Sequence, residues 1–408
     1  MNILIYGGNG WIGSQFIKLL KQKDISFAKG TIRVENEKQL KKEIENINPT
    51  HIISFIGRTH GEGINTIDYL EQKDKLQINI RDNLYAPYVL AQICTLKNIH
   101  YTYLGTGCIF NGDDFDENSL PNFFGSSYSV VKGFTDRIMH FFEENVLNLR
   151  IRMPIVDSYH HRNFITKITQ YDKICSIQNS MTVLDELLPY SLDMMKNNIT
   201  GTYNFTNPGT ISHNEILELY KQLVDPSFSY KNFTLEEQDK ILKSERSNNR
   251  LNTNKLTSLY PKIKNIKESV KDCLLKYKLP NNLLITGGCG FIGSNFINYI
   301  FDKDKFDNII NLDAMYYCAN KENIIINIQR NSNYIFIEGN IADKELVRKI
   351  LKKYNIRYVI HFAAQSHVTT SFGESLKYTK DNIYGTHVLI EECRNWDNIK
   401  KFIHFSTD

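Results

Sequence analysis

The sequence predicts an α/β protein with doubly wound parallel sheets, and two observations support this fold class. Short apolar segments that are typical of strands, such as HIISFIG (residues 51–57), alternate with amphipathic helical segments. A glycine-rich strand–turn–helix element occurs twice, as YGGNGWIGSQFI (residues 6–17) and TGGCGFIGSNFI (residues 286–297). The first glycines of the two copies, Gly7 and Gly287, are 280 residues apart (287 − 7). We therefore expect two units that begin alike.

Length and composition are those of a globular protein with two or three domains. The 408 residues are 41% hydrophobic and 23% charged with a net charge of +4, so nothing marks a nucleic-acid or membrane surface. Seven cysteines without a C-x-x-C pair argue against a disulfide framework and a structural metal site. The chain opens with a strand, MNILIYGG, and not with a signal-peptide pattern. We expect a cytoplasmic protein with no metal, nucleic-acid or membrane partner.

The first glycine turn is typical of a Rossmann dinucleotide-binding site. Its G-x-x-G-x-x-G spacing permits a tight turn, a close approach of backbone N–H groups to a pyrophosphate, and close packing of helix on strand. The helix N-terminus adds partial positive charge for the phosphates. The predicted cofactor-binding residues of this turn are Gly7, Gly10, Trp11, Ile12 and Gly13.

The second turn repeats the pattern and predicts the same role. Its predicted cofactor-binding residues are Gly287, Gly290, Phe291, Ile292 and Gly293. The two copies differ where their second strand ends. Asp313 follows NIINL about 20 residues after the second turn, where an acid binds the ribose 2′-OH of NAD. The first copy offers Lys29 and Arg33 instead, which favours the 2′-phosphate of NADPH.

The alternation of strands and helices also predicts the domain organisation. Residues 1–155 form a nucleotide-binding domain that carries the catalytic residues, and residues 156–278, where the alternation weakens, form a smaller substrate lobe. Residues 279–282 are a junction. Residues 283–408 form a second Rossmann unit that is incomplete, with unprotected strand edges and low stability expected.

The segment SSYSVVKG (residues 126–133) carries a Tyr-x-x-x-Lys pair. Tyr128 and Lys132 share one helix face, where an ammonium favours the ionised form of a phenol whose pKa is otherwise near ~10. Lys132 is also a predicted cofactor contact. Thr106 ends a strand in YLGTGCIF, where its hydroxyl can bind a carbonyl oxygen beside Tyr128. Behind a Rossmann turn this combination indicates short-chain dehydrogenase/reductase chemistry.

Cys108 has two interpretations. A cysteine after a strand is often a small buried apolar residue. Cys108 also stands at the carboxyl end of a central strand, in the crevice where Rossmann ligands bind, and a thiolate there can remove a proton α to a ketone. Spacing alone leaves both open.

Seven segments together resemble the bifunctional UDP-4-keto-6-deoxyglucose 3,5-epimerase/4-reductases of UDP-rhamnose synthesis, which are extended short-chain dehydrogenase/reductases. The resemblance covers residues 1–278. The segments are GTGCIF, PNFFGSSYSVVKG, LRIRMPI, RNFITKI, NSMTVLDELLP, NFTNPGTISHNEILELY and RSNNRLNTNKL.

The resemblance implies UDP-4-keto-6-deoxyglucose as substrate, NADPH as cofactor, and compatibility with a homodimer. It implies that Thr106, Tyr128 and Lys132 form the reductase triad, with Cys108 as epimerase base and Lys167 as its partner acid. It further implies substrate-binding roles for Arg58, Asn163, Arg246 and Asn248.

Residues 281–408 resemble the amino-terminal half of nucleotide-sugar 4,6-dehydratases, in ITGGCGFIGSNFI, NLDAMYYCAN, HFAAQSHVTTSF, DNIYGTHVLIEEC and HFSTD. In that family a glutamate follows the STD motif, and a Tyr-x-x-x-Lys pair comes later. Thr407 and Asp408 belong to this motif, and residue 408 is the last of the sequence. We therefore expect NAD as the cofactor of the second unit and no dehydratase activity.

Two other functions remain open at this stage. One is a reductase of another nucleotide-linked keto-sugar, with dTDP or GDP as the nucleotide. The other is a catalytically silent NADP-binding regulatory protein.

Overall fold

The computed structural model describes residues 1–64, 66–171, 173–242, 244–303, 305–396 and 398–406. The chain divides into two compact units, Met1–Lys278 and Leu279–Asp408. None of the described helices is both long and apolar enough to span a lipid bilayer.

The first unit contains twelve strands among its described residues. They are β1 (Ile3–Tyr6), β2 (Phe27–Lys29), β3 (His51–Ser54), β4 (His100–Thr106), β5 (Gly112–Phe115), β6 (Val146–Ile151), β7 (Pro154–Ile155), β8 (Lys173–Ile174), β9 (Thr182–Val183), β10 (Gly201–Asn204), β11 (Lys231–Asn232) and β12 (Asn249–Leu251). Six of them form the central parallel sheet in the order β10-β6-β4-β3-β1-β2, and the others pair two by two.

Helices flank this sheet. They are α1 (Trp11–Gln22), α2 (Glu37–Ile47), α3 (Leu76–Ile80), α4 (Ala86–Leu96), α5 (Ser127–Met139), α6 (Phe164–Ile168), α7 (Leu184–Lys196), α8 (His213–Leu223), α9 (Leu235–Asp239), α10 (Asn254–Leu259) and α11 (Ile266–Lys276). A π-helical segment, Arg81–Tyr85, joins α3 to α4, and a 3₁₀ turn spans Ile67–Glu71.

Both faces of the central sheet are buried, as a parallel sheet requires. On one face Leu4 and Ile52 pack with α2 and α4. On the other face Ile3 and Ile5 pack with α1 and α7. This explains why the strands read as continuous apolar runs, and it confirms the doubly wound class.

The second unit has a five-stranded parallel sheet in the order β15-β14-β13-β16-β17. Its strands are β13 (Asn282–Thr286), β14 (Asn308–Asp313), β15 (Tyr334–Glu338), β16 (Ile356–His361) and β17 (Lys401–His404). Its helices are α12 (Phe291–Ile300), α13 (Ile326–Gln329), α14 (Lys344–Lys353), α15 (Val368–Gly373), α16 (Ser375–Tyr378) and α17 (Gly385–Trp396), with a π-helical segment Thr379–Tyr384 before α17. Large apolar side chains are exposed on this unit, including Phe291 (82%), Phe372 (85%) and Leu376 (84%).

The strand registers align the two units residue by residue. Across the first sheet Tyr6 is level with Ser54, which is level with Tyr103. Across the second sheet Thr286 is level with His361, which is level with His404. Tyr103 and His404 are thus counterparts, 301 residues apart (404 − 103).

Thr407 and Asp408, the last residues of the STD motif, lie outside the described residues.

An asparagine clamp is repeated as well. In the first π-helical segment the Asn83 side chain accepts from the N–H of Arg58 at 2.9 Å and donates to its carbonyl at 2.9 Å. In the second unit Asn382 makes the same two bonds with Gln365, at 2.7 and 2.9 Å. Each π-helical segment therefore fixes the loop after an equivalent strand, β3 in the first sheet and β16 in the second.

Candidate active site

The first glycine turn brings the backbone close to the loop after β3. Gly7 has φ +70°, and a Cβ there would lie 2.8 Å from the carbonyl carbon of Phe55. A Cβ on Gly13 would come within 2.5 Å of the Gly7 oxygen. Helix α1 begins at Trp11, so its unpaired N–H groups lie at this turn. The turn therefore fits a dinucleotide pyrophosphate.

Four of the predicted cofactor contacts in this turn line a cavity of about 420 Å³. They are Gly10, Trp11, Ile12 and Gly13. The Trp11 ring stacks on His160 with a centroid distance of 5.3 Å. The helix start is thus held against the loop before α6.

At the end of strand β2 the register identifies the counterpart of Asp313. Phe27 and Ile309 occupy equivalent positions because their partners, Ile3 and Leu283, are 280 residues apart (283 − 3). Thr31, four residues after Phe27, is therefore the counterpart of Asp313, four residues after Ile309. The N–H and hydroxyl of Thr31 donate to Glu43 at 2.8 and 2.7 Å.

The two cations predicted to bind the 2′-phosphate lie near this strand end. Lys29 donates to Asn9 of the glycine turn at 3.3 Å. The Arg33 side chain is 71% exposed and pairs with Glu35 at 3.5 Å. Neither belongs to the described residues that line the cavity, so their cofactor contact stays a prediction.

The carboxyl end of β4 places Thr106 and Cys108 in the cavity wall. The Cys108 N–H donates to the Thr106 hydroxyl at 3.1 Å, and Ser129 donates to the Cys108 carbonyl at 2.8 Å. The cysteine is half-buried and packs with Tyr69 and Tyr128. Its backbone is therefore fixed on both sides, and it lies in the crevice at the carboxyl end of β4.

Helix α5 starts at a Ser126 cap and carries Tyr128 and Lys132 one turn apart on the cavity side. Burial raises the pKa of Tyr128 well above that of a free phenol, Cys108 adds to the rise, and a hydrogen bond with Thr106 opposes it. Burial lowers the pKa of Lys132 to about 8. The Lys132 ammonium donates to the hydroxyl of Tyr103 and lies 4.7 Å from that ring.

These contacts correct one expectation. The sequence suggested that Lys132 would favour the ionised form of Tyr128, but its ammonium is bonded to Tyr103 and burial dominates the pKa of Tyr128. Burial thus favours the protonated form of the Tyr128 phenol.

Asn163 is not among the described residues that line the cavity, and its substrate contact stays a prediction. It is fully buried, and its amide donates to the carbonyls of Val156 at 2.8 Å and Ser158 at 2.9 Å. Its oxygen accepts from the Ile165 N–H at 3.3 Å and caps α6. All its polar groups serve to start the helix that carries Lys167.

Lys167 lines the cavity from α6. Burial lowers its pKa, and the nearby charges of Arg162 and Arg246 lower it further. A lysine in these surroundings gives up its proton more readily than a solvated one.

The segment RSNN (residues 246–249) contributes one cavity residue, Arg246. Its guanidinium pairs with Asp68 at 2.7 Å. Burial alone would raise the pKa of Asp68, but hydrogen bonds from Arg246, Thr66 and Ser244 outweigh it and lower the pKa to about 2. Arg246 is thus held in place at the cavity wall by an ionised carboxylate.

Two other predicted substrate contacts lie outside the described cavity wall, and each has a structural partner instead. Asn248 accepts from the Asn179 amide at 3.0 Å and takes part in fixing the segment. Arg58 pairs with Asp82 at 2.9 Å. Both side chains thus hold neighbouring elements in place, and their direct contact with substrate stays a prediction.

Sequence reasoning missed the residues that hold the Cys108 loop from a distance. The Asn249 amide donates to the carbonyls of Gly107 and Phe110, both at 2.8 Å. Ser247 donates to the Phe110 carbonyl at 2.6 Å and accepts from Arg152 at 3.2 Å. The polar run RSNN was the one sequence signal that pointed to this role.

The charged side chains of the described cavity wall all have the same sign. Its described wall contains five cationic side chains and no aspartate or glutamate. The cations are Lys132, Arg152, Arg162, Lys167 and Arg246. Burial, then Arg162 and the other neighbouring cations, lowers the pKa of His60 to about 4, so it is neutral near pH 7. The wall is suited to ligands with several negative charges.

The second unit has a smaller pocket of about 100 Å³ at its own glycine turn, where Gly287 and Gly290 line the wall. Gly287 has φ +71°, and a Cβ on Gly293 would come within 2.3 Å of the Gly287 oxygen. The Asp313 carboxylate also lines this pocket, and it accepts from the N–H groups of Cys289 and Met315, both at 2.8 Å.

Phe291 and Ile292 do not belong to the described wall of that pocket. Their side chains are 82% and 59% exposed. Their cofactor contact stays a prediction.

Comparisons with known proteins agree with this division. The RmlD substrate binding domain family matches residues 1–173, and the GDP-mannose 4,6 dehydratase family matches residues 284–408. The L780 protein of Acanthamoeba polyphaga mimivirus, whose crystal structure is that of a UDP-rhamnose synthase, is 54% identical over 68% of this chain and 99% of its own, with a TM-score of 0.67.

Two further relatives cover the two units. The bifunctional dTDP-4-dehydrorhamnose 3,5-epimerase/dTDP-4-dehydrorhamnose reductase of Arabidopsis thaliana is 44% identical over 66% of this chain and 91% of its own. The dTDP-D-glucose 4,6-dehydratase of Dictyostelium discoideum is 48% identical over 31% of this chain and 29% of its own. The second unit thus matches less than a third of that relative.

Fold and site together define a Rossmann enzyme of the extended short-chain dehydrogenase/reductase class that acts on nucleotide sugars. Within that class the chain belongs to the 3,5-epimerase/4-reductase family of its mimivirus and Arabidopsis relatives, and it carries a 4,6-dehydratase-like segment after it.

Proposed function

We propose that residues 1–278 convert UDP-4-keto-6-deoxy-D-glucose to UDP-L-rhamnose by 3,5-epimerisation and NADPH-dependent 4-reduction at one site. The observation that carries the proposal is that Thr106, Cys108, Tyr128, Lys132 and Lys167 line a single cavity. A reductase needs the tyrosine and lysine of α5 but neither the cysteine nor the lysine of α6. Their shared cavity favours two reactions over one.

In the epimerisation the C4 ketone acidifies the hydrogens on C3 and C5. The Cys108 thiolate removes such a proton, while Thr106 and Tyr128 donate hydrogen bonds to the enolate oxygen. The Lys167 ammonium, whose pKa is lowered by burial and by Arg162 and Arg246, returns a proton to the opposite face. Each carbon is thereby inverted. Exchange with solvent restores the thiolate and the ammonium before the second inversion.

In the reduction Tyr128 donates its phenol proton to O4. Its raised pKa, caused first by burial, keeps it protonated and ready to donate at neutral pH. Bound NADPH would supply the hydride to C4, with the glycine turn and Lys132 as the residues that hold it. Lys132, with a pKa of about 8 caused by burial, is close enough to neutral pH to replace the tyrosine proton.

The cationic wall supports a diphosphate-containing substrate. Arg162, Lys167 and Arg246 belong to the loop before α6, to α6 and to the RSNN segment. With no carboxylate in the described wall, this side of the cavity attracts a nucleoside diphosphate. The names of the relatives include both UDP and dTDP sugars, and the uridine nucleotide is our proposal because the mimivirus relative shares more of the sequence.

For the second unit we propose NAD binding. Asp313 at the end of β14 lines the pocket of the second glycine turn and supports the choice of NAD.

The test is to incubate the full chain with UDP-4-keto-6-deoxyglucose and NADPH, following NADPH absorbance and identifying the product by NMR. The expected product is UDP-L-rhamnose. We expect the rate with the UDP-linked substrate to exceed the rate with the corresponding dTDP-linked substrate. A product reduced at C4 but not inverted would indicate a reductase only. A result without NADPH oxidation would favour the alternative function, a catalytically silent NADP-binding protein.

A further inference from the structure

Arg152 lies next to the loop of Cys108. It follows the last residue of β6, Ile151, which pairs with Thr106 of β4. The Gly107 N–H donates to the Ile151 carbonyl at 3.0 Å. A Cβ on Gly107 would lie 3.0 Å from Cγ of Arg152 and 3.1 Å from its Cδ. The arginine stem therefore packs on the residue before Cys108, and both side chains line the same cavity.

The charge of Arg152 has no anionic partner among the described residues. Its side chain is 1% exposed, and its Nη atoms donate to three neutral oxygens: Oδ1 of Asn179 at 2.8 Å, and Oγ and O of Ser247 at 3.2 and 2.9 Å. Its Nε has no hydrogen-bond partner in the described part of the chain. A buried cation without a counter-ion is costly to the fold.

Arg150, two residues earlier, shows how the charge of a buried arginine is ordinarily neutralised. It is also fully buried, but it forms two hydrogen bonds with the Asp136 carboxylate, at 2.8 and 2.6 Å. Arg150 is thus compensated within the fold. Arg152 has only neutral acceptors among the described residues, so a negative charge in the cavity would compensate it.

Cys108 is the group beside Arg152 that can supply this charge. The other titratable groups that face it are Tyr128 and Lys132 on α5 and Tyr69 in the 3₁₀ turn. Burial lowers the pKa of Arg152, and the charge of Cys108 opposes that shift. The charge of Cys108 also acts on Lys132, but Lys132 has a second anionic neighbour, Asp136. For Arg152, Cys108 is the one such neighbour among the described residues.

We propose that Arg152 is a positioning residue that stabilises the thiolate of Cys108 and so makes this cysteine a base near neutral pH. The proposal deepens the proposed function, because it supplies the cation that a cysteine base needs. Asn179 and Ser247 then act by holding a guanidinium without neutralising it.

Alkylation by iodoacetamide tests the proposal without any turnover. The thiolate sulfur displaces iodide, so the rate at Cys108 reports its thiolate fraction. Peptide mass spectrometry follows Cys108 and, in the same digest, Cys318, an exposed cysteine of the second unit that serves as the internal reference. The rates are measured from pH 6 to pH 10 in the full chain.

In Arg152→Met we expect alkylation of Cys108 at pH 7 to slow by at least about tenfold, with the half-maximal rate at higher pH. Cys318 should keep its rate and its pH profile. Arg152→Lys, which restores a positive charge, should recover much of the loss. A purely structural role of Arg152 would not separate methionine from lysine in this way.

A second variant keeps Arg152 and neutralises its charge with a carboxylate on a neighbouring residue. Asn179→Asp puts a carboxylate where Oδ1 now accepts from the guanidinium at 2.8 Å, and it should slow Cys108 alkylation in the same direction. Should Arg152→Met fail to fold, Asn179→Asp decides the question. The proposal would be overturned if a folded variant that lacks the net positive charge at position 152 kept the wild-type pH profile of Cys108 alkylation. A shifted profile in a protein that makes no rhamnose would instead contradict the proposed function alone.

Discussion

The two units begin with nearly the same turn and differ in the charges placed around it. Gly7 and Gly287 have φ values of +70° and +71°, and a Cβ on Gly13 or Gly293 would come within 2.5 or 2.3 Å of the first glycine oxygen. After the second strand the first unit has Thr31 where the second has Asp313.

The charge of the two pockets follows the same division. The described wall of the first cavity has five cations and no acid, whereas that of the second pocket has Asp313 and Asp381 and no lysine or arginine. We therefore propose that the turn provides the pyrophosphate site in both units and that the surrounding side chains select the dinucleotide and the substrate.

The largest effect is expected at the reductase site, which only the first unit has among its described elements. Tyr128→Phe removes the proton donor for O4 and should lower the rate of C4 reduction by about 10²–10⁴-fold. The measurement is NADPH oxidation with UDP-4-keto-6-deoxyglucose. Tyr317→Phe, a change at a 69% exposed tyrosine of the second unit, is the control and should keep the wild-type rate. Equal losses in the two variants would contradict the assignment.

Core truncations at matched positions should separate the stabilities of the two units. Leu4 in β1 and Leu284 in β13 are equivalent and both fully buried. Each change to alanine should lower the free energy of unfolding of its own unit by about 2–5 kcal/mol. Calorimetry should show two transitions, with Leu284→Ala moving only the one at lower temperature and Leu4→Ala only the other. A single transition moved by both changes would contradict independent units.

Exchanging the charge at the end of the second strand should change cofactor choice. Asp313→Asn weakens the acceptor for a ribose hydroxyl and should lower NAD affinity of the second unit about tenfold. Thr31→Asp places an anion beside the 2′-phosphate and should lower the preference of the first unit for NADPH over NADH by about the same factor. Calorimetric titration of each variant measures both values, and unchanged affinities would show that these positions do not contact the cofactor.

The smallest effect concerns His60 of the cavity wall and His160, which stacks on the cavity residue Trp11. Burial first, and then neighbouring cations and His161, lower the pKa values of His60 and His160 to about 4. An unfolded histidine binds a proton below about pH 6.5, so the unfolded state takes up more protons between about pH 6.5 and 4. The free energy of unfolding of the first unit should therefore fall as the pH is lowered through this window.

Urea titrations at pH 7 and pH 5 measure this loss of stability. The double variant His60→Asn/His160→Asn lacks both groups and should lose less stability between the two pH values than the wild type does. An identical loss in the variant would show that other groups titrate in this window.

The sequence was sufficient for the parts of the site that depend on local spacing. Tyr128 and Lys132 share a helix face because they are one turn apart, and Thr106 and Cys108 meet them because parallel strands end at one edge of the sheet. The glycine turns follow from the same kind of local rule.

The parts that could not be predicted depend on contacts between distant segments. Asn249 holds the Cys108 loop across 142 positions of the chain, and Arg152 reaches that loop through the register of β4 and β6. The sequence motif did not show that Asn163 caps α6, or that Arg33 is 71% exposed and paired with Glu35. The substrate contact of Asn163 and the cofactor contact of Arg33 stay predictions.

The most direct test of the two-reaction site compares Cys108→Ala with Cys318→Ala, a matched change in the second unit. Each variant is given UDP-4-keto-6-deoxyglucose and NADPH, and the configuration at C3 and C5 of the product is read by NMR. The two-reaction site predicts that Cys318→Ala yields UDP-L-rhamnose, whereas Cys108→Ala reduces C4 and leaves both carbons uninverted. Inverted product from Cys108→Ala at the wild-type rate would contradict it.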